Sequence, residues 1–298
     1  MPGGRTFGAG RFLLELGGVP CGFLRSVEGG AIGAEVVSVH GQTYFDEKHL
    51  GRVRYEDFAI ELDLSLDAAV YDWIANTWTG KHQRRDGSIT IVDAQLKARA
   101  ENEFFQALLT EVTVPAMDAA SKDVGFLTVK FAPEYTRMKK GSGATVKSST
   151  TKQKAWQASN FKLEIDGLDC TKVSKIEAFT FKQTIVRDDI GEVREAVREP
   201  SRLDFPNLRI SVAESAAQTW SDWFDDFVVK GNNDATKERQ GKLTFLAPDL
   251  KKALGEVAFF NLGLFRLERE PQLAGVETVS RLRADLYCER MELSVTVK

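Results

Sequence analysis

The sequence is poor in the side chains that most often build catalytic and metal sites. Among 298 residues there are only three histidines, His40, His49 and His82. They lie in polar sequence and none has a second ligand four residues away, so we interpret them as exposed surface residues rather than metal ligands or catalytic bases. No metal site and no cofactor is predicted.

Cysteine is equally scarce. Cys21, Cys170 and Cys288 show no CxxC spacing, and the first two occupy the same place in a repeated segment. This pattern favours reduced, buried thiols over a disulfide set. The sequence also has no apolar run of about 18 residues and no apolar segment of the kind found in signal peptides. We therefore expect a protein that is soluble where it is made, with no membrane span.

An excess of charge of either sign is absent too. The chain has 40 basic and 43 acidic residues, a formal net charge of −3. Such a balance creates no global field that would attract nucleic acid or an anionic membrane. The choice of partner must therefore depend on shape and local contacts.

No catalytic motif stands out. GxSxG is absent, and no cysteine has a histidine partner in a plausible context. Glu61 and Asp63 share one face of a predicted strand, but the repeat has Ser211 and Ala213 there, which favours an outward polar face over an acid–base pair. The acidic cluster in residues 188–195 lacks the ligand spacing of a calcium loop and is interleaved with arginines, which indicates a solvated or interface surface. We predict that the protein is not an enzyme.

One segment of the chain occurs twice. Residues 12–37 and 161–186 align without a gap at an offset of 149, and the offset grows to 150 and then to 155 further along. The identical pairs include Phe12/Phe161, Leu14/Leu163, Glu15/Glu164, Gly18/Gly167, Cys21/Cys170, Glu28/Glu177 and Val37/Val186. Such a period indicates two whole domains, not a solenoid with repeats of about 20 to 50 residues. The predicted boundaries are 1–137 for the first domain, 138–160 for a flexible linker and 161–298 for the second domain.

Short alternating runs indicate a mainly β fold. Residues 58–66 alternate apolar and polar side chains over nine positions and give the clearest strand pattern. Residues 67–77, and the segment around Trp220 and Trp223, have instead the spacing of a short helix with an aromatic face, which we interpret as core packing rather than a stacking platform. We predict two tandem antiparallel β-barrel or sandwich domains, each with one flanking α-helix.

These patterns together resemble the inner tail tube proteins of contractile phages and of phage-tail-like injection systems. The family unit opens with a strand of the type FxLEL and a Gly-Phe strand, matched by residues 12–16 and by Gly22-Phe23, and it contains a helix with a tryptophan, matched by Trp73. Residues 84–115, RRDGSITIVDAQLKARAENEFFQALLTEVTVP, are similar to the family's Arg-Asp-Gly turn, its next strands and its proline loop.

The resemblance covers residues 11–137 and, more loosely, 161–298. It implies a small β-barrel that assembles into six-membered rings with a continuous sheet as inner wall, and rings that stack into the tube of a particle made in the bacterial cytoplasm. Because this chain joins two such domains, we expect three chains to form one ring of pseudo-sixfold symmetry. The implied partners are further copies of the chain, sheath, baseplate or hub proteins, and cargo or nucleic acid in the lumen. A hub, tube-initiating or cap ring is the alternative within this class.

Two charged segments, residues 40–54 and 187–204, are predicted to form long hairpins that contact the adjacent ring or a hub. The candidate contact residues are Asp46, Glu47, Lys48, Arg52, Arg54, Arg187, Asp188, Asp189, Glu192, Arg194, Glu195 and Arg198. The candidate residues of a polar sheet face or lumen are Glu61, Asp63 and Arg209.

A soluble protein with two calyx-like barrels that bind small ligands is the alternative of another class. It predicts a monomer of 33.1 kDa with a hydrophobic pocket, whereas the tube hypothesis predicts a larger assembly. We expect size-exclusion chromatography of the purified protein to show that assembly. Elution as a monomer with a bound small compound would instead support the ligand-binding alternative.

Overall fold

A computed structural model describes residues 10–41, 44–146, 156–188, 196–272 and 279–296. The chain is built mainly from antiparallel strands, with one helical segment in each half, which confirms the predicted fold class. The elements of the first half are β1 (Arg11–Leu16), β2 (Val19–Leu24), β3 (Ser26–Gly29), β4 (Ile32–Val39), β5 (Glu47–Tyr55), β6 (Phe58–Leu62), α1 (Ala68–Trp78), β7 (Arg85–Val92), β8 (Ala98–Val114), β9 (Met117–Asp118), β10 (Leu127–Ala132) and β11 (Tyr135–Lys140).

The second half repeats most of these elements in the same order, but residues 166–172, which correspond to β2, form turns instead of a strand. Its elements are β12 (Phe161–Ile165), β13 (Val173–Ile176), β14 (Phe179–Asp188), β15 (Val197–Asp204), β16 (Leu208–Ala213), a 3-10 turn (Glu214–Ala216), α2 (Gln218–Phe224), a π-helical turn (Asp225–Val229), β17 (Arg239–Leu246), β18 (Ala253–Arg269) and β19 (Arg281–Val295). β19 corresponds to β10 and β11 together. The first half divides this strand at Pro133, which has no backbone N–H to donate.

The strand order is the same in both halves. One sheet contains the path β1-β7-β8-β10-β6-β3, and the other contains β12-β17-β18-β19-β16-β13. The registers agree as well: Leu14 lies opposite Ile89, and Leu163 lies opposite Leu243. The duplication seen in the sequence therefore holds at the level of individual strand pairs.

The long strand of each half bends at one residue. In β8 this is Gln106, with φ of 51°, and in β18 it is Asn261, with φ of 57°, 155 positions later. Positive φ is unusual for a residue other than glycine and marks a local break in the ladder. At the bend the backbone N–H of Gln106 donates to a carboxylate oxygen of Asp86 at 2.7 Å. β8 pairs with β7 from Ala98 to Ala107 and with β10 from Leu108 onward, so its partner changes just after the bend.

Aromatic side chains fill the interior of the first barrel. The ring of Phe131 lies 5.0 Å from that of Phe58, 4.8 Å from that of Phe104 and 5.7 Å from that of Trp73. The four tryptophans predicted to be core residues, Trp73, Trp78, Trp220 and Trp223, are all buried, which confirms that interpretation. Packing of this kind leaves the barrel centre occupied by the protein itself.

The strand predicted over residues 58–66 is shorter than its alternation suggests. It ends at Leu62, because a carboxylate oxygen of Asp63 accepts a hydrogen bond from the backbone N–H of Ser65 at 2.8 Å and turns the chain. Leu64 and Leu66 stay buried after the turn. The alternation therefore predicts burial correctly and strand length incorrectly.

The described ends of the segment predicted as a linker, residues 138–146 and 156–160, are bonded to the rest of the chain. The N–H of Gly125 donates to the carbonyl of Trp156 at 2.9 Å, and the Trp156 ring packs 4.8 Å from the ring of Phe245. A Cβ at position 125 would overlap the Trp156 indole, so glycine is required there. Residues 156–160 are therefore a packed connection between the halves rather than a free tether, because Trp156 buries its side chain in the core.

We expect Trp156→Ala to lower the free energy of unfolding by about 3–5 kcal/mol, because it removes a buried aromatic side chain that contacts both halves. Chemical denaturation monitored by circular dichroism measures the change. Gln157→Ala is the matched control, since this neighbouring side chain is exposed, and it should change stability by less than about 0.5 kcal/mol. Equal effects of the two substitutions would show that Trp156 does not join the halves.

Candidate assembly interfaces

A strand of the second half extends the sheet of the first half. Residues 179–182 of β14 pair antiparallel with residues 111–114 of β8. Thr113 and Thr180 lie opposite each other with their hydroxyl oxygens 2.8 Å apart. We call this pairing the intrachain joint. It satisfies backbone groups that would otherwise lie at an open sheet edge.

Apolar packing supports the intrachain joint. The ring of Phe181 in β14 lies 5.4 Å from the ring of Trp78 in α1 and 5.3 Å from the ring of Phe205. Phe181 and Trp78 are almost completely buried. The helix of the first half thus covers a strand of the second half.

In a second, smaller contact, a strand of the first half extends the sheet of the second half. β9 of the first half pairs with β13 of the second half, with Met117 opposite Ile176 and Asp118 opposite Lys175. The sequence pattern predicts only a loop over residues 115–122, because two residues are too few to show a strand period. Met117 is completely buried by this contact.

The hairpin β14–β15 carries several of the predicted contact residues. The guanidinium of Arg198 lies 2.7 Å from a carboxylate oxygen of Asp57 and donates to the carbonyl of Tyr55 at 3.1 Å. Nearby, the guanidinium of Arg84 lies 2.8 Å from the carboxylate of Glu199. Arg198 is therefore held against the first half of its own chain.

Of the other candidate residues in this hairpin, Arg187 lies opposite Arg198 and Asp188 lies opposite Val197 in the register of β14 and β15. Asp189, Glu192, Arg194 and Glu195 lie outside the described residues. The proposed role of this hairpin as a contact surface stays a prediction.

The hairpin β4–β5 forms a separate two-stranded sheet. Asp46 lies at its described tip, where its carboxylate is 2.5 Å from Nδ1 of His40, and the carboxylate of Glu47 lies 3.8 Å from His49. Arg54 pairs with Glu35, and Lys48 and Arg52 lie on β5. Both faces are largely exposed, and the exposed apolar side chains are Ile32, Val36, Val37, Val39, Tyr44, Phe45 and Leu50.

The candidate residues of the polar sheet face have separate local partners. Glu61 lies 3.4 Å from Arg25, and Asp63 forms the turn with Ser65. In the second half, Arg209 donates from Nε to the buried carboxylate of Asp285 at 2.7 Å, and this hydrogen bond raises the pKa of the guanidinium.

Charged side chains form a row across each sheet. In the sheet of the second half the row contains Arg266, Asp285, Arg209 and Glu177. In the sheet of the first half it contains Lys182 from β14, Glu111, Lys130 and, beyond Ala59, Glu28. Charges alternate between neighbouring strands along most of each row, which stabilises a sheet face directed to water. The sequence reveals Arg209, but its partners appear only when the strands are aligned.

Burial raises the pKa of the three thiols, Cys21, Cys170 and Cys288, to about 11, and all three are free. His40, His49 and His82 are exposed, as predicted from the sequence. Within the described ranges, no three or more His, Cys, Asp and Glu side chains are grouped as a metal site would require, and no helix has the length and hydropathy to span a membrane.

Residues 9–137 match the family model described as T4-like virus tail tube protein gp19. The first half of the chain is thus similar to this tail tube family, which confirms the resemblance seen in the sequence.

Among solved structures, three cryo-EM structures of contractile particles are similar to this chain. One is the sheath–tube complex of the PVC extracellular contractile injection system in the extended state, with 17% identity and a TM-score of 0.41 over 46% of this chain and 93% of that chain. The tube-terminating cap of the anti-feeding prophage has 17% identity and a TM-score of 0.41, over 47% and 95%. Its baseplate has 14% identity and a TM-score of 0.39, over 46% and 97%. No curated protein matches the chain.

We expect Arg198→Ala to loosen the hairpin β14–β15 and to reduce stability by about 1–2 kcal/mol, because it removes charge-assisted hydrogen bonds to Asp57 and Tyr55. Hydrogen exchange of the backbone amides in β15 should become faster. Arg202→Ala, on the same strand but with an exposed side chain, is the control and should leave exchange unchanged. Unchanged exchange in both variants would show that the contacts of Arg198 do not hold the hairpin in place.

Proposed function

We propose that this protein is a structural subunit of the inner tube, or of a ring close to the tube, in a contractile phage tail or phage-tail-like injection system. Three chains form one ring, in which six barrels of alternating type surround a central lumen. The observation that carries this proposal is the intrachain joint, where two barrels of tail-tube type share strands side by side. A ring extends the same lateral contact from chain to chain.

The covalent connection favours this arrangement. It makes every second contact of the ring intramolecular, at an effective concentration of about the mM range, so only three contacts per ring form between separate chains. Continued pairing around the ring also protects the sheet edges that a single chain exposes. We therefore assign the duplicated domains, with boundaries near 137 and 161, to adjacent positions of one ring.

The polar face of the sheets is the proposed lumen wall. Glu61 and Arg209 are charged and partly exposed, whereas Asp63 is engaged in its turn. The charged rows place acidic and basic side chains next to each other, so the wall has no strong field of one sign. Such a surface tolerates the passage of varied cargo or nucleic acid.

The two hairpins are the proposed contacts to adjacent rings and to hub, baseplate or sheath proteins. β4–β5 is rich in exposed apolar side chains, whereas β14–β15 is charged and held by Arg198. A ring of three chains presents the two kinds alternately. A hub, initiator or cap ring uses the same joints, and differs from the tube proper in whether rings stack without limit.

The structure offers little to the ligand-binding alternative. The calyx of such a protein must be hollow, but aromatic side chains fill the first barrel around Phe131. Burial and raised pKa values also make the thiols poor nucleophiles. A structural role agrees with both observations.

We expect native mass spectrometry to give a species of three chains, about 99 kDa from three times 33.1 kDa, and electron microscopy to show rings with six lobes. Filaments of stacked rings would favour the tube proper, and rings that never stack would favour a hub or cap. Rings of six chains, or a stable monomer at high concentration, would contradict the proposal.

A further inference from the structure

The strand registers give each residue of the intrachain joint a counterpart elsewhere in the chain. β14 and β15 pair in the same register as β4 and β5, at offsets of 149 and 150, and both hairpins carry a bulge at the same place. β18 and β19 repeat the register of β8 and β10 at an offset of 155. On β14, Thr180, Phe181 and Lys182 correspond to Ala31, Ile32 and Gly33, which lie 149 positions earlier. On β8, Glu111, Val112 and Thr113 correspond to Arg266, Leu267 and Glu268, which lie 155 positions later.

Apolar residues that are buried at the intrachain joint have exposed counterparts in the other domain. Phe181 and Trp78 are 0% and 1% exposed, whereas their counterparts Ile32 and Val228 are 44% and 40% exposed. Val228 follows Trp78 by 150 residues, the offset that also relates Trp73 to Trp223. Apolar side chains exposed at positions that are buried in the sister domain indicate a surface that a partner covers.

The backbone edges at these positions are open as well. Among the described residues, β18 after Gly263 pairs only with β19, and β4 pairs only with β5. β14 is extended from Phe179 onward, but β4 begins two residues after the counterpart of Phe179, at Ile32. The two positions missing from β4 correspond to Phe179 and Thr180, the first two of the four β14 residues that pair with β8. β4 therefore has the form of the same strand without its partner.

We propose that β4 of one chain adds to the edge of β18 of a second copy of the chain. The register places Ala31 opposite Glu268, Ile32 opposite Leu267 and Gly33 opposite Arg266, and Ile32 then packs against Val228 as Phe181 packs against Trp78. This interchain joint rests on the proposed ring and supplies its closure. Each chain gives one strand and receives one, which is the head-to-tail contact that a closed ring requires.

Charge selects the correct partner at each edge. Within the chain, Lys182 of β14 lies opposite Glu111 of β8. If β14 took the edge of β18 instead, Lys182 would lie opposite Arg266, and like charges in opposed positions destabilise a strand pair. Gly33 has no side chain there and avoids this repulsion. Like charges therefore disfavour the pairing of β14 with the edge of β18.

Engineered disulfides test the register. Opposed side chains touch at the intrachain joint, where the Thr113 and Thr180 hydroxyls are 2.8 Å apart, so the double variant Ala31→Cys with Glu268→Cys should cross-link neighbouring chains under mild oxidation. Non-reducing electrophoresis should show bands of two and three chains and none larger. Thr113→Cys with Thr180→Cys is the positive control and should cross-link within one chain, without any increase in mass.

The off-register pair Ala31→Cys with Arg266→Cys and the parent chain with its own three cysteines are the negative controls. Intact rings by native mass spectrometry without the Ala31–Glu268 cross-link would overturn the joint and leave the proposed ring standing. Cross-linked ladders beyond three chains would support the joint and overturn closure at three. Absence of both rings and cross-links would overturn both proposals.

A single substitution gives an independent readout. Ile32→Lys should abolish ring formation while the melting temperature of the isolated chain stays unchanged, because the side chain is already 44% exposed in one chain. Val19→Lys, with a similar exposure of 47% on β2, is the matched control and should leave rings intact. Rings that persist in Ile32→Lys would overturn the joint.

Discussion

The pairing of β14 with β8 is the contact on which the rest of the structure depends. Without it, each half would end in an open sheet edge beside a long hairpin with no support. With it, the buried residues of both halves form one continuous cluster that runs from Leu14 to Leu293. The connection at Trp156 adds to this core instead of bridging it loosely. The duplicated chain is thus a pair of adjacent barrels fixed in one geometry.

In the proposed ring, the same fold supplies two joints of different strength. At the joint within the chain, Phe181 and Trp78 bury large aromatic surfaces, whereas the counterparts Ile32 and Val228 are smaller. The hydrophobic stabilisation scales with the apolar area buried, so we expect the proposed contact between chains to be the weaker of the two. This difference suits an assembly from preformed units, because the permanent contact forms during folding and the weaker contact forms only when chains meet. Exposed aromatic side chains at the second joint would favour aggregation before assembly.

Local patterns determine much of the fold, but the joints depend on contacts that the sequence does not display. Alternation around Phe58 and the helical spacing of Trp73 predict a strand and a helix that the structure contains, and the repeated residues predict the repeated strand order. Asp63 ends the strand early through one side-chain hydrogen bond, which no periodicity reveals. Trp156 lies in polar sequence, and only its neighbours in space, Gly125 and Phe245, explain its burial.

The candidate contact residues show the same limit. A charged hairpin signals an exposed surface, but the sequence cannot show that Arg198 reaches Asp57 across 141 positions while Asp46 pairs with the nearby His40. The duplication also affects the surface that the hairpins present to a partner. The two hairpins have diverged, because β4–β5 exposes apolar side chains whereas β14–β15 is held by Arg198. The proposed ring of three chains would therefore present a threefold surface to its partners, although its proposed wall repeats six times. A partner that contacts all six hairpins equally must tolerate both surfaces, and a partner that discriminates between them has to match the threefold pattern.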